Sequence, residues 1–228
     1  MSRKSRLLYR PRAKARKVAR ILHSLYGSPR HNNKSDPLDE LVFIILSQMT
    51  TYRSFERVYD RLKHAAPSWD IVRRMPLSRL KKTIKDAGLS NQKAPRIKAI
   101  FERIHRDFGR VTLEPLRQMP TTKAEPYLVS LPGVQRKTAK CVLMYSLKRK
   151  VLPVDTHVLR VARRLGFTDE KVISDRVHHQ LENAIAPADR YRFHVNALSH
   201  GRAVCAAKSP RCEECDLTRL CEYYQSSN

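Results

Sequence analysis

The chain has 228 residues, with 46 Lys and Arg against 21 Asp and Glu, for a formal net charge of +25. An apolar fraction of 41% supports a buried core and excludes wholesale disorder. No run approaches the roughly 18–20 apolar residues of a membrane helix. A field this positive draws polyanions and gives salt-dependent affinity, so nucleic acid is the leading partner. A basic membrane-surface protein would need a Trp- and Phe-rich amphipathic basic helix, and none is present. No charged-then-apolar leader with a small-residue cleavage site opens the sequence, so a soluble intracellular protein of the cytoplasm or nucleoid is expected.

The first 20 residues hold nine basic side chains and no acidic one. Residues 1–11 read as a basic, DNA-contacting arm; an Arg-rich, acid-poor transit peptide is the alternative. Val18, Ile21, Leu22 and Leu25 then follow helical spacing, and Gly27 ends that helix. After a polar loop, Asp36-Pro37 supplies an N-cap and a first-turn proline for a helix with Leu41, Ile44 and Ile45 on one face. Leu77, Leu80, Ile84 and Ala87 form the next stripe, closed by Gly88. Ile97, Ile100, Phe101, Ile104 and Phe108 form another. Val158, Val161, Ala162 and Leu165 form a fourth, closed by Gly166, and Ile173, Val177, Leu181 and Ile185 a fifth, closed by Pro187. No long alternating pattern appears, so the fold class is all-α with short Gly- and Pro-bearing loops. The tail from Tyr223 to Asn228 reads as frayed.

Three motifs carry chemistry. In Leu131-Pro132-Gly133-Val134-Gln135-Arg136-Lys137-Thr138-Ala139 a Pro-Gly turn runs into a helix, whose open N–H groups and positive dipole end suit a phosphate. In Val154-Asp155-Thr156-His157, Asp155 stands where a helix begins. It is either a plain N-cap or a partly desolvated carboxylate placed to stabilise developing positive charge. Cys205, Cys212, Cys215 and Cys221 are spaced C-x6-C-x2-C-x5-C. Four such thiols suit one iron–sulfur cluster or one zinc ion; an intracellular chain disfavours disulfides, and zinc sites more often pair two C-x-x-C knuckles. Cys141 reads as a small buried hydrophobe.

Together these stretches resemble endonuclease III, the iron–sulfur branch of the helix–hairpin–helix DNA glycosylases. Leu46-Ser47-Gln48, Gly88 to Ala94 and His200-Gly201-Arg202 extend the resemblance over roughly residues 37 to 223. It implies two helical lobes around a DNA cleft: a six-helix barrel with the helix–hairpin–helix motif at 37–149, and a lobe of 12–36 with 150–228 carrying the iron–sulfur loop. It implies that Lys137 attacks the sugar C1′ and that Asp155, 18 residues on, assists. The four cysteines would ligate a 4Fe–4S cluster. Gln48 and Leu89 would fill the hole left by an extruded nucleotide. Gly133, Gln135 and Arg136 would grip phosphates, and Lys208 and Arg211 would meet them from the cysteine loop.

The expected function is thus a bifunctional glycosylase and abasic-site lyase for oxidised pyrimidines in duplex DNA, working as a monomer. The alternatives are a mismatch-type glycosylase for thymine, uracil or a modified cytosine, a non-catalytic iron–sulfur DNA-binding module, and a zinc-bearing regulator. Two departures from the family bear on this. Gln135 stands where a second hairpin glycine is usual, which demands an awkward backbone angle or an altered turn. Met49-Thr50-Thr51 replaces Ala-Thr-Asp near the expected base pocket, leaving damage preference open. Tyr52 and Arg53 follow as candidate base contacts, with helix packing the alternative for Tyr52.

Overall fold

The computed structural model describes residues 3–29 and 32–227, and every regular element among them is a helix. Met1 and Ser2 of the expected basic arm, and the side chains of 3–11, lie outside the described residues. The chain forms two compact units: Met1–His31 with Lys150–Asn228, and Asn32–Arg149.

The continuous unit holds α2 (Pro37–Ser47), α3 (Tyr52–Ala65), α4 (Trp69–Arg74), α5 (Leu77–Thr83), α6 (Ser90–Phe108), α7 (Thr121–Ser130) and α8 (Arg136–Tyr145). Asp36 caps α2 as the sequence implies, its Oδ1 accepting from the N–H groups of Leu38 and Asp39 at 2.8 Å. The apolar face of α2 is wider than one stripe. Every residue from Glu40 to Leu46 is buried, so α2 is the central helix of its unit. Phe43 meets Phe55 and Tyr59 edge-on at 4.9 and 5.3 Å, and Trp69 meets Phe101 at 5.4 Å. Lys34 caps this aromatic group, its Nζ 4.5 Å from the Phe43 ring centre.

The stripe Leu77–Ala87 is broken. α5 stops at Thr83, a 3-10 turn covers Lys85–Ala87, and Gly88 leaves it at φ 68°. Leu80, Ile84 and Ala87 are all buried, so the apolar spacing survives while the helix does not.

The other unit holds α1 (Arg3–Tyr26), α9 (Thr156–Arg164), α10 (Asp175–Ala184), α11 (Arg190–Ala203) and α12 (Glu222–Ser227). Its core joins Ala15, Val18 and Leu22 of α1 to Val158, Val161 and Ala162 of α9, Val177 and Leu181 of α10, and Phe193 and Ala197 of α11. α10 begins later than its stripe. Ser174 caps it, accepting from the Val177 N–H at 3.3 Å, and Ile173 lies outside it, exposed. The tail is not frayed over Glu222–Ser227 but helical. Glu222 pairs with Lys14 at 2.8 Å, and the Arg164 guanidinium lies over the Tyr223 ring at 4.5 Å.

α9 and α11 approach closely at Gly201. A Cβ there would stand 2.9 Å from the Cβ of His157, inside contact distance. Arg160 exploits the approach, donating to the Gly201 and Cys205 carbonyls at 2.7 and 2.8 Å. Gly201→Ala is therefore expected to cost about 1–3 kcal/mol of stability by overpacking. A thermal melt reads it, and an unchanged midpoint would mean that the two helices separate without cost.

Candidate functional site

In the continuous unit the hairpin and α8 are built as the motif implies. Gly133 turns at φ 69°, and a Cβ there would fall 2.7 Å from Arg96 Nε, so the missing side chain makes room for that guanidinium. Gln135, standing where a second glycine was expected, needs no unusual angle. It sits at φ −85°, ψ 163°, ordinary extended backbone, and serves as the N-cap residue of α8. Its side chain does not cap the helix. Gln135 and Gly133 are exposed.

Lys137 is the second residue of α8 and is half-buried. Arg136 and Lys140 on either side share Glu125, at 3.3 and 3.5 Å. Lys137 also lies within electrostatic reach of Glu40, a fully buried carboxylate. Glu40 accepts from Asn33 Nδ2 at 2.7 Å and from the Lys34 N–H at 2.6 Å. Burial raises its pKa, opposed by those donors and by the charges of Lys34 and Lys137. Sequence reasoning missed Glu40, because a Glu in the first turn of a helix reads as a solvated favourable charge.

It also missed Lys93. This side chain is 2% exposed, and its Nζ donates to the carbonyls of Leu46, Gln48 and Ala87 at 2.8, 2.6 and 2.7 Å. Burial, with Arg96 near, pushes its pKa down to about 8. Gln48 is half-buried at the end of α2, its Oε1 accepting from Arg96 Nη1 at 3.0 Å. Leu89 is exposed at φ 51°. Arg53 is exposed on α3, and the Tyr52 side chain lies outside the described residues. Cys141 is buried in α8, as expected of a small hydrophobe.

In the other unit, Asp155 is the N-cap of α9, its Oδ1 accepting from the Val158 N–H at 2.8 Å. The extended segment before it is fastened on several sides. Glu182 accepts from the Leu152 N–H at 2.8 Å, and His194 Nδ1 stands 2.9 Å from the Pro153 carbonyl. Asp155 is thus a cap, half-buried, on rigid backbone.

Cys205, Cys212, Cys215 and Cys221 all line one cavity, together with Arg164, His200 and Leu217. Three of the thiols have ordered neighbours. Arg164 Nη1 donates to Cys205 Sγ at 3.1 Å, Cys221 Sγ donates to the Arg164 carbonyl at 3.3 Å, and His200 Nε2 stands 3.6 Å from Cys215 Sγ. Burial raises the pKa of Cys215 and Cys221. Among the described residues no three His, Cys, Asp or Glu side chains converge tightly enough for one metal ion. Four thiolates on one zinc would need sulfurs about 3.8 Å apart, given 2.3 Å bonds in a tetrahedron. Four thiols lining one cavity are a ligand set that fits a metal centre. On the same loop Lys208 is exposed, while Arg211 donates to the Ala203 carbonyl and pairs with Glu214 at 3.0 Å.

Residues 42–187 match the family model of the HhH-GPD superfamily, described as base excision DNA repair proteins. The chain is 31% identical to endonuclease III of Synechocystis sp. over 229 residues, covering all of both proteins. It is 35% identical over 167 residues to a candidate DNA glycosylase of Arabidopsis thaliana, covering 72% of this chain and 56% of that one. The chain thus spans little more than half of that plant relative's length. Among solved structures it superposes on a trapped endonuclease III–DNA covalent intermediate with a TM-score of 0.81, at 26% identity, over 95% of this chain and 98% of the other. The chain belongs to the HhH-GPD superfamily of base excision DNA repair proteins, as an endonuclease III-like member.

Proposed function

We propose that the chain is a DNA glycosylase with abasic-site lyase activity, acting on damaged pyrimidines in duplex DNA. One observation carries the reading. A half-buried lysine, Lys137, stands in the first turn of the helix behind the Gly133 hairpin, in a chain similar along 95% of its length to an enzyme trapped covalently on DNA. The charge of +25 fits a polyanionic partner.

The chemistry follows from an amine beside a phosphate-binding helix start. The start of α8, with Arg136 alongside, holds the backbone. Gly133 and Gln135 let the turn approach it, and Lys208 adds charge from the cysteine loop. The neutral amine of Lys137 attacks the sugar C1′, the C1′–N bond to the base breaks, and the base leaves with a proton. The amine and C1′ then form a Schiff base by opening the sugar ring. Loss of a C2′ proton expels the 3′ phosphate by β-elimination, and water hydrolyses the Schiff base to free Lys137. The sugar is cationic in character as the base departs, and we assign Asp155 the part of the ionised carboxylate that stabilises it. The cap bond holds Asp155 in one orientation for that part.

Cys205, Cys212, Cys215 and Cys221 would hold a 4Fe–4S cluster, whose contribution is to fold and brace its loop. Arg164 and His200 hold the thiols in place, and Arg211, bound to Ala203 and Glu214, stiffens the loop that presents Lys208. Protein isolated without air is expected to be brown with about four iron atoms per chain. Colourless protein carrying one zinc would contradict that assignment.

Lys137→Gln is expected to abolish borohydride trapping on abasic DNA while changing duplex affinity by less than about fivefold, since one charge among many phosphate contacts is lost. Trapping by that variant would move the nucleophile to another amine. Asp155→Asn separates cap from charge. Asn caps a helix about as well as Asp, so the melting point should hold, whereas base excision should fall by about 100-fold or more. A variant that melts lower and excises normally would reduce Asp155 to a cap.

A further inference from the structure

Asp155 is reached through a stretch with no regular structure. Residues 151–154 are all buried, so each polar group of their backbone needs a partner. Side chains of α10 and α11 supply those partners. Glu182 accepts from the Leu152 N–H, and Arg190 donates to the Lys150 carbonyl. His178 Nδ1 stands 3.3 Å from the Leu152 carbonyl, and His194 Nδ1 stands 2.9 Å from the Pro153 carbonyl. A carbonyl only accepts, so Nδ1 of each histidine carries the proton and donates it. The His194 bond is the nearest of these to Asp155. His194 is 2% exposed, so water does not stand in for that bond when it is lost.

α11 also holds the chain on the far side of Asp155. A Cβ on Gly201 would stand 2.9 Å from the Cβ of His157, and Arg160 donates to the Gly201 carbonyl at 2.7 Å. His194 and Gly201 are seven residues apart, two turns of one helix, and so share a face of it. That face meets Pro153, two residues before Asp155, and His157, two residues after it. The cap bond alone does not do this. It ties the carboxylate to the Val158 N–H, while Asp155 itself stands outside the helix at φ −106°, ψ −176°.

Resting on the part assigned to Asp155 above, we propose that α11 aims that carboxylate and that His194 is a positioning residue for base excision. Its Nδ1–H sets the backbone that delivers Asp155, and it acts through Asp155 alone. A charge that stabilises a developing cation must be placed to within about 0.5 Å, by groups that are themselves locked. The step so governed is departure of the base, when the sugar turns cationic. Attack of Lys137 on a sugar that has already lost its base comes after that step and does not depend on His194.

The test uses the full chain in single turnover on duplexes holding thymine glycol or dihydrouracil, reading free base released. Borohydride trapping on a duplex with a preformed abasic site runs beside it. His194→Phe keeps a ring and removes the donor. Base release should fall by about tenfold or more, since a misplacement of about 1 Å costs about 100-fold. Abasic trapping should stay within about threefold of wild type, because no bond to a base breaks there. His194→Asn should restore base release to within about fivefold, since its amide nitrogen is carried on Cγ as Nδ1 is and donates to the same carbonyl. On an Asp155→Asn background His194→Phe should cost less than about twofold more, as for a residue that acts through another. Where the Phe variant does not fold, His194→Gln takes its place, with its amide one bond further out than Nδ1.

Base release by His194→Phe within about threefold of wild type overturns the positioning role, as does an equal loss of base release and abasic trapping. A further loss of about tenfold on the Asp155→Asn background overturns it too. Wild-type protein that releases neither base and gives no adduct defeats the proposed function, and the role of His194 with it.

Discussion

The buried ammonium of Lys93 is the constraint on which the turns after α2 and before α6 depend. Three carbonyls converge on it from the end of α2, the turn after it and the 3-10 turn before Gly88. Each of these carbonyls lies where a helix stops, so each lacks the partner that regular structure would give it. A single donor group with three N–H bonds satisfies all of them at once. Removing it would leave the three acceptors, two of them in buried bonds, without this donor, a heavier loss than one ordinary hydrogen bond. The left-handed residues Met49 and Leu89 persist because their neighbours are held this way. Arg96 continues the connection, touching Gln48 on one side and the space at Gly133 on the other.

In the other unit a comparable task falls to Arg164 and Arg160. Arg164 meets the Cys205 thiol, the Ala206 carbonyl and the Tyr223 ring, so α9 organises both the cysteine loop and the terminal helix. Arg160 ties α9 to Gly201 and Cys205. The cysteine loop has little regular structure of its own, only 3-10 turns at Cys212–Glu214 and Thr218–Leu220. Its order therefore depends on these arginines.

Much of this was legible beforehand, for identifiable reasons. Caps and glycine stops are local, so Asp36, Gly27 and Gly166 could be read where they stand. The all-helical class and the family followed from spacing and from motifs whose combination is specific. What escaped has a common physical cause. α11 is buried nearly all round, from Phe193 to Leu198, so it shows no amphipathic stripe. The stripe through Ile84 kept its apolar period although the helix broke beneath it, because burial and helicity are separate demands. The tail helix owes its order to Lys14 and Arg164, far away in sequence. Glu40 and Lys93 look like solvated charges on helices, and only the packed structure reveals them as buried polar centres. Gln135 shows the reverse error, in which an expected strain proved needless because the residue is a simple helix start.

The central claim is that the amine of Lys137 forms the covalent bond to DNA. Its most direct test is to trap the wild-type protein on abasic duplex with borohydride, digest the adduct, and locate the modified residue by mass spectrometry. The account predicts one sugar-linked peptide, spanning the start of α8, with the added mass on Lys137. An adduct on Lys140, on Lys93 or at the chain's N-terminus, or no adduct from protein that binds the duplex, would contradict it.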